Sequence, residues 1–453
     1  MTSFAEAQRW WGAAETILLR GGHLIDPAAG IDEPQDIFLR RGHIEAIAGR
    51  IGRDADLRVE LEGLCIAPGF GDIHVHLREP GGEDAETIES GSAAAARGGF
   101  TRIACMPNTE PPIDTRGLVE FVLRRAQSAG AAEVFPVAAS TKRRAGDELT
   151  EMQELREAGV LAVSDDGSPV RDARVMRRVL EYALTWDLLV ISHAEEPSLS
   201  AGGVMHEGYW STVLGLEGIP AAAESVAIAR DLRLAELTGG RLHIAHVSTH
   251  EGVELIRGAK ERGVAVTAET APHYLALTDE SLRTFDSVYR VNPPLRSAAD
   301  REALIAGLRD GTLDCIASDH APHTDVAKDQ ELEAAPPGMI GMETTLGVVC
   351  EILHHREGFS LRDLVRLCAT RPAEIIGWDP GRVRMGGAAH LTVFAPDQEW
   401  EVDPSAFASR ARNCPFRTWR LRGRSRLTVC GGRLTHQEDV EFCPSERLLT
   451  QTA

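Results

Sequence analysis

The chain has 453 residues, which is enough for one large domain and a smaller one. Its composition is that of a globular enzyme, with 43% hydrophobic and 26% charged residues. The formal net charge of −20 disfavours binding to a nucleic-acid backbone, which requires a basic surface. No apolar stretch approaches the roughly 20 residues that a membrane-spanning helix needs. We therefore expect neither a nucleic-acid-binding nor a membrane protein.

The cysteines and the N-terminal segment both bear on cellular location. The eight cysteines are scattered and include no C-x-x-C pair. This pattern is typical of reduced thiols rather than of a disulfide framework. The first residues lack the basic region, apolar core and cleavage site of a signal peptide. Together these features predict a cytoplasmic location.

Short alternating runs bounded by Gly and Pro occupy both ends of the chain. Between Glu15 and Ile66 they follow one another closely, which is typical of β-strands. Runs of the same kind return near the C-terminus, in AAHLTVFAPD and TWRLRGRSRLTVCGGRL. We therefore predict a small β-sandwich domain that is split between residues 1–66 and 379–453. The first 15 residues are expected to form an extension with a helical turn.

The central segment, residues 67–378, has a different pattern, in which short apolar strands alternate with amphipathic helices. Eight strands can be counted, most of them about 30 residues apart, which is the period of a βα unit. Buried parallel strands are apolar runs, as these are. The segment therefore predicts a (β/α)8 barrel. A doubly wound open sheet is the alternative, but no G-x-G-x-x-G follows the first strand.

Two histidines stand at the end of the first of these strands, in GDIHVHLREP. His74 and His76 are two residues apart, so on a strand both imidazoles face the same side. Neutral imidazole is the commonest metal ligand in proteins. Such pairs also occur on solvated strand faces, and the ends of the other strands must decide between the two interpretations.

Residue types that ligate metals follow four further strands. The C-terminal ends of parallel strands meet at one rim, where barrel enzymes place their active sites. Each residue alone is compatible with a packed core histidine or a helix N-cap. Jointly they indicate zinc or a similar divalent ion, as a single ion or a pair. The residues are Asp165 and Asp166 after strand four, His193 after strand five, His246 after strand six, and Asp319 and His320 after strand eight.

Several motifs occur in the order and spacing of one known family: GFGDIHVHLREPGG, ETIESGSAAAARGGFTRIACMPNTEP, SDDGSPV, SHAEE, HVSTHE and VNPPLRSAADREALIAGLRDGTLDCIASDHAPH. The chain resembles the dihydroorotase family of the long bacterial type, class I, within the amidohydrolase superfamily. The resemblance extends from about residue 17 to residue 435. It implies the same fold as the strand pattern does, a (β/α)8 barrel beside a small β domain.

The resemblance also implies a centre with zinc ions, two per subunit. Many amidohydrolases bridge two metals with a carboxylated lysine, but the predicted strand four contains no lysine. An aspartate is therefore expected as the bridge. The implied ligands are His74, His76 and Asp319 for one ion, His193 and His246 for the second, and Asp166 as the bridge together with a hydroxide.

The implied reaction is the reversible cyclisation of N-carbamoyl-L-aspartate to L-dihydroorotate with release of water, the third step of de novo UMP biosynthesis. A metal-held hydroxide is the expected nucleophile, and Asp319 the expected general acid and base. The residues implied to contact the substrate are Arg78, Asn108 and His323 at its carboxylate, Asn292, Pro337 and Gly338 at its ring, and the ligand His76.

Two other functions fit parts of the pattern. One is another cyclic-amide hydrolase, a hydantoinase or an allantoinase, although these typically bridge their metals with lysine and lack the carboxylate pocket. The other is an inactive scaffold for aspartate transcarbamoylase, although every expected ligand is present. Apolar positions on the β domain favour a homodimer, and the resemblance leaves a complex with aspartate transcarbamoylase open.

Overall fold

The computed structural model describes residues 2–378 and 381–452, and within them the chain is an α/β protein. The strands are β1 (Thr16–Asp26), β2 (Ile31–Arg40), β3 (His43–Ala48), β4 (Leu57–Glu60), β5 (Cys65–Pro68), β6 (Phe70–Val75), β7 (Phe100–Cys105), β8 (Glu133–Pro136), β9 (Ala162–Val163), β10 (Leu189–Ser192), β11 (Met205–His206), β12 (Gly218–Ile219), β13 (Leu242–Ile244), β14 (Val266–Thr270), β15 (Cys315–Ile316), β16 (Leu391–Glu401), β17 (Arg420–Cys430), β18 (Arg433–Gln437) and β19 (Glu441–Pro444).

The α-helices are α1 (Phe4–Ala13), α2 (Ile88–Gly98), α3 (Arg116–Ala129), α4 (Met152–Glu157), α5 (Ala173–Thr185), α6 (Pro197–Ser200), α7 (Tyr209–Leu214), α8 (Ala222–Thr238), α9 (His250–Glu261), α10 (Pro272–Ala276), α11 (Ala298–Asp310), α12 (Asp325–Lys328), α13 (Thr345–Val349), α14 (Leu361–Val365), α15 (Arg371–Ile376) and α16 (Glu446–Thr452). Short 3₁₀ turns occupy Lys142–Arg144, Asp279–Thr284, Ser287–Tyr289 and Pro404–Ala406. π-helical turns occupy Cys350–Arg356 and Arg366–Thr370.

Strands from both ends of the chain pair in one nine-stranded sheet. The order is β18-β17-β16-β5-β1-β2-β3, and β4 pairs with both β1 and β19. The N-terminal extension forms α1, and the buried Trp11 on it donates from its indole nitrogen to the carbonyl of Gly432 at 2.9 Å. Strand β5 spans the predicted boundary between residues 66 and 67. The predicted boundary between residues 378 and 379 falls at residues outside the described part of the chain.

All eight strands predicted in the central segment are present, and they pair in parallel. Strands β6, β7 and β8 form one sheet, and β9, β10, β13, β14 and β15 form another. Two isolated parallel bridges, Val75 to His320 and Ala138 to Val163, connect the two sheets. An apolar cluster takes side chains from β6, β7, β9, β10 and β15 and packs them with Trp378. The two sheets therefore share one core.

The helices between these strands begin and end at recognisable signals. For example, α2 begins at a capping box of Thr87 and Ser90, and it ends at Gly99, whose φ of 92° requires glycine. Helix α11 begins at a second capping box, of Ser297 and Asp300. The long insertion after β10 contains α6 and α7 and the two-stranded sheet of β11 and β12. Such local signals make the helix boundaries readable from the sequence.

Two negative expectations from the sequence can be compared with the structure. None of the helices in residues 2–378 and 381–452 combines the length and the apolar character that crossing a membrane requires. All eight cysteines are free, and all but Cys443 are buried. The structure therefore contains no disulfide among these cysteines, as their spacing predicts.

Candidate metal centre and active site

Four imidazoles and two carboxylates converge at the C-terminal ends of the parallel strands. Two of these residues come from the end of β6, and the others follow β9, β10, β13 and β15 within three residues. All six side chains are buried. They are the six residues that the sequence predicts as ligands: His74, His76, Asp166, His193, His246 and Asp319.

The first group of ligand atoms surrounds one oxygen of Asp319. This oxygen, Oδ1, is 3.2 Å from Nε2 of His76 and 3.6 Å from Nε2 of His74. Ligand atoms placed about 2.0–2.2 Å from a tetrahedral zinc ion are about 3.3–3.6 Å apart. The three side chains can therefore hold a metal ion of this size, and they form one of the candidate metal-ligating groups of the structure.

Asp166 lies between this group and a second one. Its Oδ1 is 3.3 Å from Nε2 of His74, and 3.6 Å from both Nδ1 of His193 and Nε2 of His246. Its Oδ2 is 3.7 Å from Nε2 of His76. Oδ1 of Asp166 and Nε2 of His74 are buried without a hydrogen-bond partner. Because buried polar atoms almost always have partners, these two atoms fit a bound cation.

The charges of the cluster favour a bound positive ion. Burial by itself would raise the pKa of Asp166 and Asp319, but the neighbouring imidazoles hold both pKa values well below the usual range. Burial likewise opposes the charged form of His193, yet Asp166 and Glu195 raise its pKa to about 10. Two buried carboxylates thus create a negative potential that a proton or a divalent cation would satisfy.

The backbone at the cluster is strained. Arg78, His246 and Asp319 have φ values of 61°, 35° and 46°. Positive φ costs a residue other than glycine about 1–3 kcal/mol, and such residues concentrate at active sites. The three strained residues are two members of the cluster, His246 and Asp319, and the neighbouring Arg78.

Glu269 orients His74 from behind, and the sequence analysis did not identify it. Its Oε1 accepts a hydrogen bond from Nδ1 of His74 at 2.8 Å. Its Oε2 is 3.2 Å from Nε2 of His243, which in turn bonds to Thr267 through Nδ1 at 2.8 Å. A carboxylate on one ring nitrogen fixes the tautomer that presents the other nitrogen to a metal. The only sequence signal is a glutamate at the end of the predicted strand seven.

Glu195 plays the same part for His193 and connects it to a predicted substrate residue. Its Oε2 is 3.1 Å from Nε2 of His193. The side-chain amide of Asn292 donates to the same oxygen at 2.6 Å. Asn292 therefore reaches the cluster through a residue that sequence reasoning missed. The sequence does offer a signal for Glu195. It stands two residues after His193, in SHAEE, and residues i and i+2 of an extended segment share a face.

The residues predicted to bind a carboxylate lie beside the cluster. Asn108 accepts from Nδ1 of His76 through its Oδ1 at 2.8 Å. Arg78 donates from Nε to the carbonyl of Pro322 at 3.1 Å, and burial lowers its pKa to about 10, so it stays cationic at neutral pH. Among the described residues, no carboxylate lies within ion-pair distance of Arg78. Its charge is thus available to an anion.

His323 and the Pro337–Gly338 segment are also brought together. Nε2 of His323 donates to the carbonyl of Pro337 at 2.9 Å. Burial, with a contribution from Arg78, lowers the pKa of His323 to about 3. The ring is therefore neutral at neutral pH, and its Nδ1 is a hydrogen-bond acceptor.

Two predicted residues at the rim face away from the cluster. Asp165 accepts from the backbone nitrogens of Ser140 and Thr141 at 2.8 and 3.0 Å, as the alternation next to Asp166 predicts. His320 turns toward Glu86, with 3.2 Å between Nε2 and Oε2.

Arg144 was not recognised from the sequence. It donates to the backbone carbonyl of Asp166 and, at 3.0 Å, to the hydroxyl of Ser168. It therefore holds the backbone of the segment that carries the shared carboxylate. Nothing in TKRRAG distinguishes Arg144 from the arginine beside it.

Comparison with known proteins agrees with this geometry. Residues 63–252 match the model of a family described as dihydro-orotase-like. The chain is 49% identical to the dihydroorotase of Syntrophus aciditrophicus over 426 residues, which cover 93% of this chain and 100% of that protein. It is 48% identical to the dihydroorotase of Pelotomaculum thermopropionicum over 425 residues, covering 94% of this chain and 99% of the relative.

A solved structure gives the same result for the fold. The L-hydantoinase (dihydropyrimidinase) from Arthrobacter aurescens superposes with a TM-score of 0.83 at 25% identity, covering 93% of this chain and 96% of that one. The fold and the histidine–aspartate cluster thus define a protein of the amidohydrolase type. Within that class, the 48–49% sequence identity to dihydroorotases over nearly the whole chain determines the family. The chain belongs to the dihydroorotase family.

The contact between Glu269 and His74 gives a first test of the site. Replacing Glu269 by Gln removes the negative charge behind the ring, so we expect zinc affinity to fall about tenfold or more. The measurement is competition with a chromophoric chelator. Glu261→Gln, at an exposed position at the end of α9, is the matched control. Equal zinc affinity in both variants would exclude a role for Glu269 in holding a metal ligand.

Proposed function

We propose that the chain is a zinc-dependent dihydroorotase that interconverts N-carbamoyl-L-aspartate and L-dihydroorotate in de novo pyrimidine biosynthesis. One observation carries the proposal: in a member of the dihydroorotase family, a buried cluster with the ligand types for divalent metals lies next to an arginine that has no carboxylate partner among the described residues. The cluster suits hydrolysis of an amide, and the arginine suits a substrate with a free carboxylate.

The architecture we propose for the chain is a (β/α)8 barrel with a β-sandwich domain built from both termini. The two bridges between the parallel sheets and the shared cluster around Trp378 support closure of the eight strands. The pairing of β5 with both β1 and β16 supports a split terminal domain, which we assign to residues 1–66 and 379–453 around a barrel of residues 67–378.

We assign two zinc ions to the cluster, with Asp166 as the shared ligand. The spacing of its two oxygens from histidines of both groups supports this assignment. No lysine competes for the bridging position, because Lys142 pairs with Glu148 and Lys260 with Asp314, and Lys328 is bound by carbonyl groups. The assigned ligands are His74, His76 and Asp319 for one ion, His193 and His246 for the other, and Asp166 for both.

The mechanism assigns the proton to Asp319. When bound, zinc would lower the pKa of a water molecule and polarise the amide carbonyl of the substrate ring. Asp319 is held ionised by the surrounding imidazoles. It therefore accepts the proton of the attacking water and delivers it to the ring nitrogen that leaves. In the direction of ring closure the same carboxyl group receives the proton of the carbamoyl nitrogen, and water departs.

The substrate contacts follow from the polar groups beside the cluster. Arg78 offers a planar pair of N–H groups to a carboxylate, and the side-chain amide of Asn108 offers another donor. Neutral His323, whose Nε2 donates to Pro337, is assigned beside the carboxylate, where its Nδ1 can accept a hydrogen bond from a ring N–H group of the substrate. Asn292 and the backbone of Pro337 and Gly338 are assigned to the ring, and His76 to the metal with one face toward the substrate.

The decisive experiment combines metal analysis with two substrates. We expect the purified chain, loaded with zinc, to hydrolyse L-dihydroorotate with loss of the ring's amide absorbance, and to leave hydantoin unchanged. Hydrolysis of hydantoin without dihydroorotate turnover would instead support a hydantoinase. Failure with both substrates in a zinc-loaded, folded chain would support the scaffold function.

Asp319→Asn tests the assignment of the proton carrier. The amide can still occupy the site but cannot accept a proton, so we expect turnover to fall at least about 100-fold. Zinc content is expected to stay largely intact, because four histidines and Asp166 remain. Asp54→Asn, at an exposed carboxylate between β3 and β4, is the control. Near-normal turnover in Asp319→Asn would overturn the assignment.

Arg78→Lys tests the carboxylate pocket. A lysine keeps the charge but loses the planar fork, which removes charge-assisted hydrogen bonds of about 1.5–3 kcal/mol. We expect KM for dihydroorotate to rise about 10- to 100-fold with a smaller change in kcat. Arg116→Lys on the surface of α3 is the matched control. An unchanged KM would remove Arg78 from the substrate site.

The proposal also covers partners and location. The substrate is a small molecule, and the proposed assemblies are a homodimer and a complex with aspartate transcarbamoylase. Gel filtration of the chain with and without aspartate transcarbamoylase tests both assemblies. The free cysteines support a cytoplasmic location.

A further inference from the structure

The segment after Asp319 leaves its strand, forms a loop over residues 324–338 and returns to the same place. On its return, the backbone nitrogen of Ala321 donates to the carbonyl of Met339 at 2.8 Å, and His320 and Met339 form a parallel bridge. Pro337 and Gly338 therefore lie against the residues that follow the catalytic strand end. The position of their backbone therefore depends on the contacts that fix the rest of the loop.

Lys328 is buried inside this loop and donates only to backbone. Its ammonium contacts the carbonyl oxygens of Pro336 at 3.0 Å, Gly338 at 3.1 Å and Arg290 at 3.4 Å. Its residue exposure is 8%, and no carboxylate in the described chain lies within ion-pair distance of it. Burying an ammonium is costly unless its N–H groups are all bonded, and here three carbonyls supply those bonds.

The peptide of Gly338 is fixed from several sides. Its nitrogen donates to the carbonyl of Arg290 at 2.8 Å, and its carbonyl also accepts from the side-chain amide of Asn413 at 3.1 Å. A Cβ atom at Gly338 would stand 2.8 Å from Nε2 of His323, and its φ is 138°. Only glycine fits this close approach, so the ring of His323 packs directly against the Gly338 backbone.

We propose that Lys328 is a positioning residue for the substrate, whose ammonium fixes the backbone of Pro337 and Gly338 beside His323. The inference rests on the proposed function, which assigns these two residues to the substrate ring. A purely structural anchor at this position would be cheaper as an apolar side chain, because no ion would have to be desolvated. The three directed bonds instead determine where the carbonyl and N–H groups of the loop point.

The charge state of Lys328 provides an independent readout. Burial, with Arg290 nearby, lowers its pKa to about 8. Above that pH the neutral amine has two N–H groups and a lone pair, so one of the three carbonyls loses its donor and faces the lone pair. We expect KM to rise about threefold or more between pH 7 and pH 9.5. The titratable and charged groups around the ammonium are Asp286, Arg290, His323, Asp325, Arg412 and Arg417.

The variant Lys328→Met keeps the length of the side chain and removes the donors. For the zinc-loaded chain we expect KM for dihydroorotate to rise about tenfold or more, kcat to change less than about threefold, and zinc content to be unchanged. The alkaline rise in KM should disappear in the variant. Lys142→Met is the matched control, because Lys142 pairs with Glu148 on the surface. It should keep the wild-type KM and pH profile.

The outcomes separate this inference from the function on which it rests. Absence of dihydroorotate turnover by the zinc-loaded wild type would refute the proposed function. Normal wild-type turnover with a KM in Lys328→Met within twofold of wild type would refute the role of Lys328, as would a fall in kcat as large as the rise in KM. If Lys328→Met does not fold, the wild-type profile decides: a KM that is flat from pH 7 to pH 9.5 contradicts the inference, and a rise supports it.

Discussion

The structure depends on two carboxylates that are buried together with four imidazoles. Burying an ion costs several kcal/mol unless its charge is compensated. Asp166 and Asp319 obtain this compensation from rings that arrive on separate strands. No single strand could supply it, because side chains on one strand share a face only at every second position. The ends of the parallel strands therefore have to meet, and the positive φ values of Asp319 and His246 show that the backbone is strained where they do.

A second set of polar groups makes this arrangement unique. Glu269 and Glu195 each accept from the outer nitrogen of one imidazole, and Asn108 does so for a third. Each of these bonds selects a tautomer and leaves the inner nitrogen to the cluster. Asn108 and Asn292 also belong to the proposed substrate pocket. In the proposed site, metal ligation and substrate recognition therefore share residues, and we expect a substitution of Asn108 or Asn292 to change both.

The chain as a whole repels anions, and the proposed substrate carries negative charge. With a net charge of −20, recognition has to be local. Arg78 supplies a fixed cation beside the cluster, and Lys328 binds the carbonyl groups of the loop that carries Pro337 and Gly338. These two buried or half-buried cations are used differently. The guanidinium of Arg78 is available to bind the substrate carboxylate, whereas the ammonium of Lys328 is hydrogen-bonded to backbone carbonyl groups and acts through the backbone.

The sequence by itself determined the eight central strands, the α/β class and the residue types at the strand ends, because apolar runs, capping signals and the two-residue period are local. These types mark eight residues at the strand ends, and the resemblance to the dihydroorotase family implies which six of them are ligands. Glu269, Arg144 and Lys328 could not be found in this way, because no local period or motif marks the contacts that give them their roles; Glu269 and His74, for example, are separated by 195 positions. Only the tertiary structure decided which acceptor stands behind each ring and which carbonyls surround a buried ammonium, since such partners are set by packing rather than by any local pattern.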